Sequence, residues 1–116
     1  MASARPPNIH FRRREFACKH CGVALVRPRL LELLERLRRA AGTPLVIRSG
    51  YRCPVHNADV GGAPDSQHMY AAAADLVPGA VTMSEAVEAG FTGIGVRGGH
   101  VVHVDVRDGP RVVFHE

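Results

Sequence analysis

The chain has 116 residues, 46% hydrophobic and 22% charged, the size and balance of one globular domain, which excludes a disordered tail or a fibrous repeat. Aromatic residues make up 5%, with no Trp, which argues against the stacking platforms that bind single-stranded nucleic acid. The net charge of +4 is divided: residues 1–52 hold twelve Lys and Arg against Glu15, Glu32 and Glu35, whereas residues 53–116 hold Arg97, Arg107 and Arg111 against eight acids. A basic half of this kind either faces an anionic partner or is a solvated helix face plus a basic arm.

Residues 1–15 read as a basic, flexible arm, with Pro6-Pro7 and Arg12–Arg14, and residues 16–116 as a single domain. The arm lacks the apolar stretch of a secretory signal, so the chain is expected to be made in the cytoplasm and to reach any external target by another route. No run is apolar for long enough to span a bilayer. Phe16–Gly22 forms a short Cys-bearing knuckle. Pro28 then opens the clearest helix, at the first position that proline favours. Leu30, Leu31, Leu33, Leu34 and Leu37 make an apolar stripe at helical spacing, with Arg29, Glu32, Glu35, Arg36 and Arg39 on the other side. Gly42 and Pro44 stop it.

Leu45–Arg48 is a short β-type run, and Cys53–Val60 a short helix ended by Gly61-Gly62. Ala63–Met69 reads as a loop and Ala72–Val77 as a strand. Thr82 and Glu85 form a capping box for a helix over Met83–Ala89. Ile94–Arg97 and Val101–Arg107 read as strands joined at Gly98-Gly99, with Arg111–Phe114 as a last edge strand. The order predicts an α+β fold: a small, mostly antiparallel sheet, one long N-terminal helix and short helices.

Two groups of residues carry chemistry. In the second half, His68 is preceded by Ser66 and followed by Asp75, and His100-Val101-Val102-His103-Val104-Asp105 lies further on. Strand alternation puts His103 and Asp105 on one face and turns Val102 and Val104 to the core. Two His and one carboxylate are a standard catalytic zinc set that leaves a fourth position for water. Spacing alone leaves open the plainer reading, that these are satisfied polar groups. In the first half, Cys18-x-x-Cys21 and Cys53-x-x-His56 pair four soft donors in the pattern of a closed structural zinc site. Free thiols, or a disulfide using two of the three cysteines, are the plainer readings there. His20 reads as a bystander.

The stretch Ser66–Asp75 resembles the Ser-x-His-x-x-Gly-x-Ala-x-Asp signature of the zinc D-alanyl-D-alanine peptidases, the M15 peptidase family. Ile47–Arg52 resembles that family's Ser-Gly-Tyr-Arg turn, and Gly93–Asp105 its closing Gly-rich strand pair ending in His-x-Asp. The three motifs stand in the family's order, and the likeness covers residues 11–107.

The resemblance implies the hedgehog/D-alanyl-D-alanine peptidase fold and a catalytic zinc ion held by His68, Asp75 and His103. It implies that Arg52 holds a substrate carboxylate, for which a guanidinium fork is suited, and that Ser66 helps to position the same group. The general base falls to His100, three residues before the last ligand, with Asp105 as the other candidate or as a group that orients a neighbouring ligand. The implied activity is zinc-dependent hydrolysis of a peptide bond in the peptidoglycan stem or cross-link, by a monomer acting at the cell wall, as in small murein endopeptidases and phage endolysins. One departure stands out. The signature Gly is Ala71 here, and a positive φ at that position would cost about 1 kcal/mol and weaken activity. Hedgehog domains keep a similar constellation as binding proteins. A non-catalytic peptidoglycan-binding or phage structural module of the same fold is therefore the alternative. A nucleic-acid binder built on Arg12–Arg14 and the Cys cluster would leave the second-half motifs unexplained.

Overall fold

The Leu stripe folds as its spacing predicts. In the computed structural model, which describes residues 10–116, helix α1 (Pro28–Ala41) buries Leu30, Leu33, Leu34 and Leu37 almost completely. Pro28 opens it and the Gly42 N–H closes it by donating to the Arg38 carbonyl. Glu35, expected on the polar face, is buried as well. It accepts the His10 backbone N–H at 2.8 Å and meets His10 Nδ1 at 2.7 Å, with Arg39 3.7 Å away. A carboxylate at the edge of an apolar stripe can be buried only when partners of this kind replace water.

The remaining elements, in chain order, are β1 (Ile47–Ser49), α2 (Pro54–Asp59), β2 (Ala73–Leu76), α3 (Met83–Ala89), β3 (Gly93–Arg97), β4 (His100–Asp105) and β5 (Val112–His115). Helix α3 has the expected capping box between Thr82 and Glu85 and packs against α1. The five strands form one sheet in the order β1-β2-β4-β3-β5. β1 with β2, β2 with β4 and β3 with β4 are antiparallel, but β5 runs parallel to β3. The sheet is therefore mixed, not the mostly antiparallel one expected. After β4 the chain steps past β3 to its free edge, so a strand that reverses β4 lies parallel to β3. No helix among the described residues is long and apolar enough to cross a membrane.

Of the expected arm, residues 1–9 lie outside the described residues. Phe11 is buried in the core, its ring tilted against Phe16, and Arg13–Phe16 forms a 3-10 turn. Core packing thus begins before residue 16.

One irregularity matters for the site. Along β3 and β4, Gly95 pairs with His103 but Val96 pairs with Val101, which leaves Val102 as an extra residue on β4. This is a β-bulge, and it breaks strict alternation. Val101 and Val104 enter the core. Val102 is buried, as expected, but it stands outside the main core cluster and lines a cavity with Asp75 and Arg52.

Candidate metal centre

The site is assembled from the middle of the sheet and one tight turn. Asp75 on β2 is the register partner of His103 on β4, so their side chains share a face. His68 arrives from a 3-10 turn, Gln67–Tyr70, just before β2. Ser66 caps that turn, its hydroxyl accepting the His68 N–H at 3.2 Å. Ala71 closes it in the left-handed conformation, φ 58° and ψ 26°, and is the only non-glycine with positive φ among the described residues. That conformation swings the chain from the turn into β2 and faces His68 towards Asp75.

His68 Nε2 lies 3.2 Å and His103 Nδ1 3.0 Å from the same oxygen, Oδ1 of Asp75. The two rings meet edge to face at 5.2 Å. His68 and His103 are buried, and Asp75 is half-buried at the floor of a cavity of about 460 Å³. Each ring's other nitrogen has a partner. His68 Nδ1 donates to the Gly50 carbonyl at 2.7 Å, and His103 Nε2 meets Asp105 Oδ2 at 2.8 Å.

Asp105 is fully buried. Its Oδ1 accepts the Arg107 backbone N–H at 3.1 Å and Arg107 Nε at 2.9 Å, and its Oδ2 accepts the other Arg107 nitrogen at 2.7 Å. With both oxygens engaged and no access to solvent, Asp105 does not have the setting of a general base. It orients His103. Gly93 is required beneath it, because a Cβ there would lie 2.0 Å from Asp105 Oδ1.

The electrostatics follow from these contacts. Burial pushes the Asp75 carboxyl up, but hydrogen bonds from His103 and His68 outweigh it and hold the group well below the usual carboxylate range. Burial likewise raises Asp105, and the Arg107 and His103 bonds overcome it. Burial lowers His103, yet its bonds to Asp105 and Asp75 raise it to about 9.

Arg52 is brought to the same place. Its backbone N–H donates to the His68 carbonyl at 3.1 Å, and its guanidinium donates to Asn57 Oδ1 at 3.1 Å and lies 3.6 Å from Asp75 Oδ2. It lines both the larger cavity and a second one of about 390 Å³. Ser66 lines the larger cavity. His100 is exposed at the start of β4, opposite Arg97, and roughly 10 Å along the strand from His103. It lines neither cavity. Val101 points to the core, so His100 points with Val102 and His103 to the other side.

Three residues escaped the sequence reading. Phe114 packs edge-on to His103 at 5.2 Å, Arg107 lies over the Phe114 ring at 5.4 Å, and Glu116 lines both cavities. They come from β5 and its approach, where no spacing marked them as part of a site.

A family model described as peptidase M15 matches residues 9–105. The chain belongs to the M15 peptidase family. Over 83 residues, 66% of the chain, it is 39% identical to the zinc D-Ala-D-Ala carboxypeptidase of Streptomyces albus G. The chain spans about a third of that relative's length, 32%. The M15 match contains His68, Asp75 and His103 and stops at Asp105, so Arg107, Phe114 and Glu116 lie beyond it. The donor set suits zinc: two imidazole nitrogens and one carboxylate oxygen within 4.8 Å of one another, with both rings held from behind.

The cysteine cluster is a separate feature. Cys18, Cys21 and Cys53 are free, and their sulfurs also lie within 4.8 Å of one another. His56, the fourth member expected from spacing, and His20 both stand outside that group, and His56 meets Cys53 Sγ through its backbone N–H at 3.4 Å. His20, read as a bystander, places Nδ1 3.5 Å from Cys53 Sγ. Burial pushes the Cys18 thiol up, but backbone N–H groups of Cys53, Cys21 and His20 outweigh it and bring it down to about 6.

Proposed function

We propose that this M15 peptidase is a zinc-dependent hydrolase acting at the cell wall on a D-alanine-containing peptide bond of the peptidoglycan stem or cross-link. The observation that carries the reading is the meeting of His68 Nε2 and His103 Nδ1 on one oxygen of Asp75, at the floor of an open cavity. His68, Asp75 and His103 would hold the ion, which when bound supplies Lewis acidity towards a peptide carbonyl and towards water. The name of the Streptomyces relative supports D-Ala-D-Ala as the bond.

The chain's own residues divide the remaining work. The Gly50 carbonyl keeps a proton on His68 Nδ1 and so leaves Nε2 free to ligate. Asp105, clamped by Arg107, does the same for His103 from the opposite nitrogen. Arg52 anchors a substrate carboxylate at the junction of the two cavities. Its 3.6 Å contact with Asp75 is long enough to give way to a bidentate pair. Ser66 holds the His68 turn and presents its hydroxyl at the cavity wall. His100, three residues before His103, is the group assigned to take up the proton of the attacking water, through an intervening water because it lines neither cavity.

The test is digestion of purified sacculi by the full chain, with and without chelator, followed by identification of the released products. Release of D-alanine or stem-peptide fragments should stop on chelation and return with added zinc. Binding to sacculi with nothing released would overturn the reading in favour of a binding module.

A further inference from the structure

The thiol cluster lies outside the centre just described and has no part in its chemistry. We infer that Cys18, Cys21, Cys53 and His20 form a second, closed metal site for zinc, which ties the N-terminal knuckle to the turn that carries Arg52.

The geometry is that of a metal knuckle. Residues 18–22 fold back on themselves: the Cys18 N–H donates to the Val23 carbonyl at 2.8 Å, and the Gly22 N–H to the Cys18 carbonyl at 2.8 Å. Gly22 sits at φ 78°, a conformation that glycine adopts without cost. This puts Cys18 and Cys21 on one side of a tight loop. Cys53 closes the set from a segment 35 residues away, its backbone N–H donating to Cys18 Sγ at 3.4 Å. The Cys53 sulfur in turn accepts the His56 N–H at 3.4 Å. Backbone N–H groups directed at sulfur stabilise thiolates, the form that ligates metal.

Three sulfurs within 4.8 Å of one another need a fourth donor. Tetrahedral zinc, with bonds of about 2.3 Å to sulfur and about 2.1 Å to nitrogen, sets S and N about 3.6 Å apart. His20 Nδ1 is 3.5 Å from Cys53 Sγ, the separation of two donors on one ion, and is therefore assigned the fourth vertex. The His56 ring lies nearly parallel to the His20 ring, centroids 6.5 Å apart. Three thiols and one imidazole make a soft set that selects zinc over hard cations, and binding releases the thiol protons. The functional consequence is local. Cys53 follows Arg52 directly, so an ion here fixes the turn from which the guanidinium reaches towards Asp75.

Cobalt(II) loading of the full chain tests this independently of peptidase activity. Thiolate ligation gives an intense near-ultraviolet charge-transfer band that a His/Asp centre cannot give. The expected result is two metal equivalents per chain with that band present. Cys21→Ser should fall to one equivalent and lose most of the band. His68→Ala should lose the other equivalent and keep the band, so failure at one centre is distinguishable from failure at the other. His20→Ala should shift the visible bands and His56→Ala should leave them in place. A native chain two mass units lighter, with no charge-transfer band, would be a disulfide and would overturn the site. Visible bands that move in His56→Ala but not in His20→Ala would overturn the fourth ligand.

Discussion

The His68–Asp75–His103 centre and the Cys18–Cys21–Cys53 cluster are both three-donor sets, yet they are built in opposite ways. Two donors of the first stand on adjacent strands in register, and the third arrives on a capped turn. Its orienting partners are a carbonyl and a buried carboxylate, each bonded to the rear nitrogen of an imidazole. The front of the set opens into a cavity. The cysteine set comes from two turns, and its sulfurs are met by backbone N–H groups and by the His20 ring. Rigid donors facing open space are arranged for chemistry on something that enters. Loop donors facing one another are arranged to hold two loops together.

The strongest way to break this contrast is Asp75→Ala. It removes the oxygen on which both imidazoles converge. Peptide release from sacculi should fall to background while the thiolate–cobalt band of the cysteine cluster persists, as absorption spectra would record. A band lost together with activity would mean that the two sets are one folding unit.

His100→Ala comes next. A general base contributes about 10²–10⁴-fold to a rate. The variant should lose activity on that scale while keeping its full metal content, measured by turnover beside metal analysis. Unchanged turnover would remove His100 from the mechanism. Asp105→Asn probes the rear support of His103. Loss of such a partner costs about 10–100-fold in metal affinity. Competition with a chromogenic chelator should show that loss at the His/Asp centre and none at the cysteines.

Ala71→Gly has the smallest expected effect. Ala in the left-handed conformation costs about 1–2 kcal/mol, and glycine gives back about 0.5–1 kcal/mol in chain entropy. The net gain should be about 0.5 kcal/mol, a rise of roughly 2–4 °C in Tm for a domain of this size, read by calorimetry. A fall in Tm would show that the Ala71 methyl, which is buried, packs well enough to offset its backbone strain.

Much of the centre was legible because its donors sit in short, ordered motifs. Ser66, His68 and Asp75 lie within ten residues, and strand alternation alone put His103 and Asp105 on one face. The direction of β5 was not legible. The pattern of a strand does not say which neighbour it will pair with, and the chain stepped past β3. The bulge at Val102 was not legible for a related reason. A bulge is a property of two strands together, and no feature of β4 by itself announces it.

The sequence by itself determined the helix that packs the core, the turn residues and the motifs that carry the family resemblance. Those depend on residue type and on spacing within one segment, where local sterics and hydrophobic period decide the outcome. Tertiary structure alone decided which groups stand behind the donors. It clamped Asp105 between His103 and Arg107, away from solvent. It set Phe114 against His103 and put the His20 ring nitrogen 3.5 Å from Cys53 Sγ. Each is a contact between segments that meet only after folding, or the clamping of one group from both sides at once. A buried polar atom takes whichever partner the packing delivers.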